Sequence, residues 1–63
     1  MFNLDKVRGC MAERRDTQED LAKILGLSTN SVNNKLNGKT PFNDREIGKI
    51  AKHYKKSAGF FFK

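Results

Sequence analysis

One cysteine, one histidine and no long apolar run narrow the possibilities for this chain before any motif is read. Cys10 has no second thiol for an internal disulfide, and together with His53 it cannot complete the usual four-ligand zinc site. At helical spacing from Val7 it reads as a small core hydrophobe rather than a reactive thiol. No stretch approaches the length of about 20 apolar residues that crosses a membrane. The opening MFNLDKVRGC carries charges where a signal peptide needs an apolar run, so the expectation is a soluble cytoplasmic protein. No Pro, Gly or Ser linker, repeat or low-complexity tract divides the chain. A Gly-rich phosphate loop is also missing, and His53 has no catalytic partner at a recognisable spacing. No enzyme activity, no cofactor and no metal are therefore expected.

What the chain does have is positive charge. Thirteen Lys and Arg stand against seven Asp and Glu, a net charge of +6, which favours an anionic partner. Sixty-three residues allow one domain, 1–63, near the lower size at which a core forms without disulfides or metal. The economical solution is all-α.

The helical patterns are short and well punctuated. A first helix is predicted from the cap Asn3 to about Glu13, with Leu4, Val7, Cys10 and Met11 inward. The segment Thr17 to Gly38, TQEDLAKILGLSTNSVNNKLNG, carries two patterns meeting at one glycine. Leu21, Ala22, Ile24 and Leu25 form the first buried side, Gly26 breaks it, and Ser28 restarts a helix with Val32 and Leu36 one turn apart. That is the layout of a helix-turn-helix, and it points to DNA. Thr17 with Asp20 forms a predicted capping box, and Asn43 with Glu46 repeats the device ahead of an inner stripe of Ile47, Ile50, Ala51 and Tyr54. Ser57 is expected to cap a last short turn holding Phe60, Phe61 and Phe62, which closes the core or meets a second subunit rather than contacting a ligand, giving five helices.

Direction around the third helix separates packing from chemistry. Val32 and Leu36 share one side, while Asn30, Asn34 and Asn37 point roughly opposite, flanked by Thr29 and Asn33. Asn is a mediocre helix former, and a face kept only for solubility would more often hold Glu, Lys, Gln or Arg. An amide that donates and accepts suits the N6 and N7 groups of adenine, and Thr29 can meet a base through its hydroxyl or methyl. Base contacts are therefore expected from Thr29, Asn30, Asn33 and Asn34. Phosphate contacts are expected from Thr17 and Gln18 at a helix N-terminus, and from Asn37, Lys39 and Thr40 after the third helix, with Lys35 added. Lys23, Lys49 and Lys52 read as solvated surface.

These residues resemble the lambda-repressor-like family, the Cro and XRE type of phage and bacterial transcriptional regulators, over nearly the whole chain. TQEDLAKILGLS followed by a recognition helix and NGKT is the specific combination. The resemblance implies a compact five-helix lambda-repressor-like fold, a double-stranded DNA operator of palindromic sequence, and a dimer with the third helix in the major groove. Position by position it puts base contacts on Thr29, Asn30 and Asn34, and phosphate contacts on Thr17, Gln18, Ser28, Asn37 and Lys39. Without room for a second dimerisation domain, a small Cro-like repressor is favoured, with Phe60, Phe61 and Phe62 as the tentative dimer contact. The chain departs from the family where relatives pair an Arg with a Glu. Met11 and Leu36 occupy those places, and an apolar contact is expected instead. Asp16 and Lys35 stand at usually apolar rim positions, and Lys56 where relatives bury an aliphatic residue. The alternative reading is a protein-interaction module, such as an antitoxin or antirepressor, built on the same fold.

Overall fold

The computed structural model describes residues 1–62. It is all-α, with four helices, α1 (Leu4–Arg14), α2 (Gln18–Leu25), α3 (Thr29–Leu36) and α4 (Asp44–Tyr54), then a 3₁₀ segment (Ala58–Phe62) and, among the described residues, no strand. The fifth expected helix is thus a 3₁₀ turn, closed by the Phe60 N–H on the Ser57 carbonyl at 3.0 Å. Among the described residues, no helix is long and apolar enough to cross a membrane.

Each helix begins at a side-chain cap that the sequence supplies. Asn3 accepts from Lys6 N–H, Thr17 from Asp20 N–H, Ser28 from Ser31 N–H and Asn43 from Glu46 N–H. The boxes at Thr17–Asp20 and Asn43–Glu46 are both reciprocal. Each such cap is worth about 1 kcal/mol, which matters in a domain of this size. Gly26 ends α2 at φ +71, which lets the Leu27 N–H turn back to Ala22 and frees the chain for α3 after two residues. The ends of α1 and α4 use the same left-handed cap without glycine, at Arg15 and Lys55, both at φ 57. The first of these carries α1 one residue beyond the predicted end.

The core is one cluster drawn from every element, with Val7, Leu21, Val32, Ile50 and Phe61 fully enclosed. Met11 and Leu36 are both buried in it, whereas Leu4 and Ile24 pack only partly against its edge. Helix α2 packs chiefly on α3 and also on α4, and the 3₁₀ segment lies against α1 and α4. Phe61 is 0% exposed and closes the core of its own chain. Of the three residues expected at a dimer contact, Phe62 is exposed, Phe60 is half-buried and Phe61 is out of reach. Phe2 completes the cluster, its ring 5.5 Å from Phe42, 5.9 Å from Phe61 and 5.5 Å from Phe62.

Both rim charges are answered from α4. Asp16 Oδ2 accepts from the Tyr54 hydroxyl at 2.9 Å and lies 3.0 Å from His53 Nε2, tying the α1–α2 turn to the last turn of α4. Burial, this hydrogen bond and the Asp16 charge push the phenol well above its ordinary value. Lys35 Nζ lies 3.0 Å from Glu46 Oε1 and donates to the Pro41 carbonyl at 2.9 Å, tying the end of α3 to the start of α4. Lys56 lies over the Phe60 ring at 5.1 Å, covering apolar surface with its stem.

Glu46 closes a capping box and an ion pair at once, and its titration follows from that. Burial raises its carboxyl, but the bonds from Asn43 and Lys35, with the charges of Lys35 and Lys49, outweigh it and hold the group below its ordinary 4.5. A carboxylate depressed on folding contributes stability above its unfolded value that is lost as pH falls through the folded one. Glu46→Gln is therefore expected to lose less unfolding free energy than the parent between about pH 7 and about pH 3 in urea titrations. Equal losses in both proteins would remove Glu46 from the acid response.

Candidate nucleic-acid interface

Helix α3 presents its polar side from a backbone fixed at both ends. Ser28 caps its start, and at its end Gly38, at φ +78, lets the Gly38 and Lys39 N–H groups return to the Lys35 and Asn34 carbonyls at 3.2 and 2.9 Å. Thr29 and Asn30 are exposed and Asn34 is half-buried. Among the described residues, none of their side chains has a hydrogen-bond partner. Asn33 is half-buried and differs from them, since its Oδ1 accepts from Asn37 Nδ2 at 3.3 Å.

The residues expected at phosphates divide. Gln18 is half-buried beside the first-turn N–H groups of Gln18 and Glu19, which have no partner among the described residues. Thr17 is exposed, but its hydroxyl donates to Asp20 Oδ2 at 3.0 Å while accepting from Asp20 N–H, so its one proton is already engaged. Bonds from the Thr17 backbone and hydroxyl also hold the Asp20 carboxyl below its ordinary range, so a charged carboxylate stands in the first turn of α2. Ser28 is engaged likewise, donating to Ser31 Oγ at 3.0 Å. Lys35 is a correction: its ammonium faces Glu46 and the Pro41 carbonyl, inside the domain, because the carboxylate at the α4 cap is within reach of a side chain at the end of α3. Asn37, Lys39 and Thr40 are exposed. The amides of residues 37–39 are turned inward on α3 carbonyls, so the open backbone expected at Gly38 is not there and only side chains face outward from this loop.

Arg8 is the residue that the sequence reading missed. Its Nη2 reaches from α1 to the Leu36 carbonyl at 2.8 Å and to Asn37 Oδ1 at 2.9 Å, so a cation caps the negative end of α3. Its partners are 28 and 29 positions away, and nothing in the local pattern around Arg8 announces them. The Asp16 network had a usable signal. A tyrosine on an inner stripe needs a partner for its hydroxyl, and a carboxylate at an otherwise apolar rim is a candidate.

The arrangement offers a short uncharged face on α3, in which Thr29, Asn30 and Asn34 have no side-chain partner among the described residues, together with the first-turn N–H groups of Gln18 and Glu19 and the exposed Asn37, Lys39 and Thr40. Neither curated proteins nor solved structures give a match to this chain. A family defined by the BetR domain matches it over residues 3–63, nearly its full length. The chain belongs to the BetR domain family.

Proposed function

We propose that this protein is a sequence-specific double-stranded DNA-binding transcriptional regulator in which α2 and α3 act as a helix-turn-helix. The observation that carries this reading is the face of α3: Thr29, Asn30 and Asn34 leave their hydrogen-bonding groups free on a helix whose two ends are pinned. An α-helix with its side chains is about 10–12 Å across, which the major groove, about 12 Å wide, admits. Gln18, Asn37, Lys39 and Thr40 then meet phosphates on either side and fix register, while α3 carries the sequence preference. A domain this small reads few base pairs, so two copies bind half-sites about 34 Å apart on a palindromic operator. The exposed Phe62 ring, set edge-on to Phe2, is where the second copy meets the first. The regulator is of the Cro-like repressor type, from a phage or prophage, and works on DNA in the host cytoplasm.

Binding to random-sequence duplex is expected to fall steeply with salt, because phosphate neutralisation releases counterions. Lys39→Ala should weaken all sequences alike and lower the slope of log K against log salt by about one unit. An unchanged slope would take Lys39 out of the footprint. Binding that ignores salt would favour the protein-interaction module, an antitoxin or antirepressor.

A further inference from the structure

The amides of α3 are not equivalent, and the difference begins on α1. A guanidinium can only donate, so the Asn37 atom that faces Arg8 Nη2 at 2.9 Å is the amide oxygen. Asn37 Nδ2 is thereby turned back along the helix toward Asn33, 3.3 Å away. The group receiving that donor is an oxygen in its turn, so Asn33 Oδ1 faces Asn37 and the Asn33 NH₂ is left without a partner among the described residues. One cation thus orients two amides in series, and each bond polarises the next. Asn30 and Asn34 carry no such constraint and can present both halves of the amide to one base.

The geometry points to Arg8 as a positioning residue for base readout. Acting through Asn37, it presents Asn33 as a donor. The base opposite Asn33 is therefore met by donors alone: guanine, with N7 and O6 both acceptors, or thymine O4 suits it, whereas adenine sets an amino donor beside its N7 acceptor and cytosine offers only an amino donor. The same relay leaves one Asn37 N–H for a phosphate oxygen. This assignment rests on α3 being the DNA-facing helix.

Two measurements test it, and they fail separately. In the free protein, the side-chain amide resonances of Asn33 and Asn37 are expected to shift in Arg8→Met, while the thermal unfolding curve shows a folded domain. Unshifted resonances would overturn the relay whatever the protein binds. Duplexes are then selected from a random pool by the wild type, Arg8→Met, Arg8→Lys, Asn37→Ala and Asn33→Ala. The wild type is expected to enrich guanine or thymine about tenfold at one position of each half-site, identified by its loss in Asn33→Ala. Arg8→Met and Asn37→Ala should reduce that preference to about twofold and leave the other positions intact. Arg8→Lys should restore most of it, because an ammonium can donate to the same oxygen. The same preference in Arg8→Met, or equal erosion at all positions, would overturn the positioning role. A wild type that enriches no sequence would remove the DNA reading and the base assignment with it, even if the resonances shift.

Discussion

Phe61→Ala is expected to cost about 3–5 kcal/mol and leave the domain largely unfolded. Sixty-three residues imply a total stability of about 3–9 kcal/mol, so one cavity of that size consumes most of it. Phe61 is fully enclosed, and the segment bearing it is held by the Asn3 N–H on the Phe61 carbonyl and by Lys6 Nζ on the Phe60 carbonyl at 3.2 Å. Its removal opens the junction of the N-terminus, α1, α4 and the 3₁₀ turn together. Phe62→Ala is the control, because that ring is 46% exposed. It should leave the fold within about 1 kcal/mol of the parent and weaken only self-association. Urea titrations of both variants decide the matter, and a Phe61→Ala protein as stable as the Phe62→Ala one would mean that the tail is not part of the core.

Asn30→Ala with Asn34→Ala should lower affinity for a cognate operator by about 1–3 kcal/mol for each substitution, up to about four powers of ten for the pair. Nonspecific affinity should hardly change, since neither side chain is charged and the phosphate-binding groups are elsewhere. Stability should hardly change either, because neither amide bonds to the rest of the domain. Competition between operator and random duplex in one titration separates the two effects. If both affinities fell together, these side chains would be contacting the backbone, and the division of labour on α3 would be wrong.

The features legible in the sequence are those written locally. Four caps, two capping boxes and the turn at Gly26 depend on residues three or four apart, and all stand where the spacing put them. The inner stripes of α3 and α4 were equally plain, because a period of 3.6 sorts Val32 and Leu36, or Ile47, Ile50, Ala51 and Tyr54, onto one side. What stayed hidden was the use of polar groups by distant partners. Lys35 looked like a phosphate contact because its charge faces no acid within α3, and its actual partner Glu46 lies beyond a loop. Thr17 was expected to offer a backbone amide to a phosphate, yet its N–H already donates to Asp20 Oδ2 at 2.9 Å within the capping box, and the Ser28 hydroxyl donates to Ser31. The aromatic tail was ambiguous for another reason. In a 3₁₀ turn three consecutive rings point in three directions, so one is buried, one half-buried and one exposed.

The central claim is that the free polar face of α3 reads base sequence in duplex DNA, and selection of bound duplexes from a random pool addresses it directly. The account predicts a palindromic consensus with half-site centres about 34 Å apart, in which Asn30→Ala and Asn34→Ala each erase the preference at their own positions. Retention of DNA without any enriched sequence, or a consensus that survives both substitutions unchanged, would contradict it.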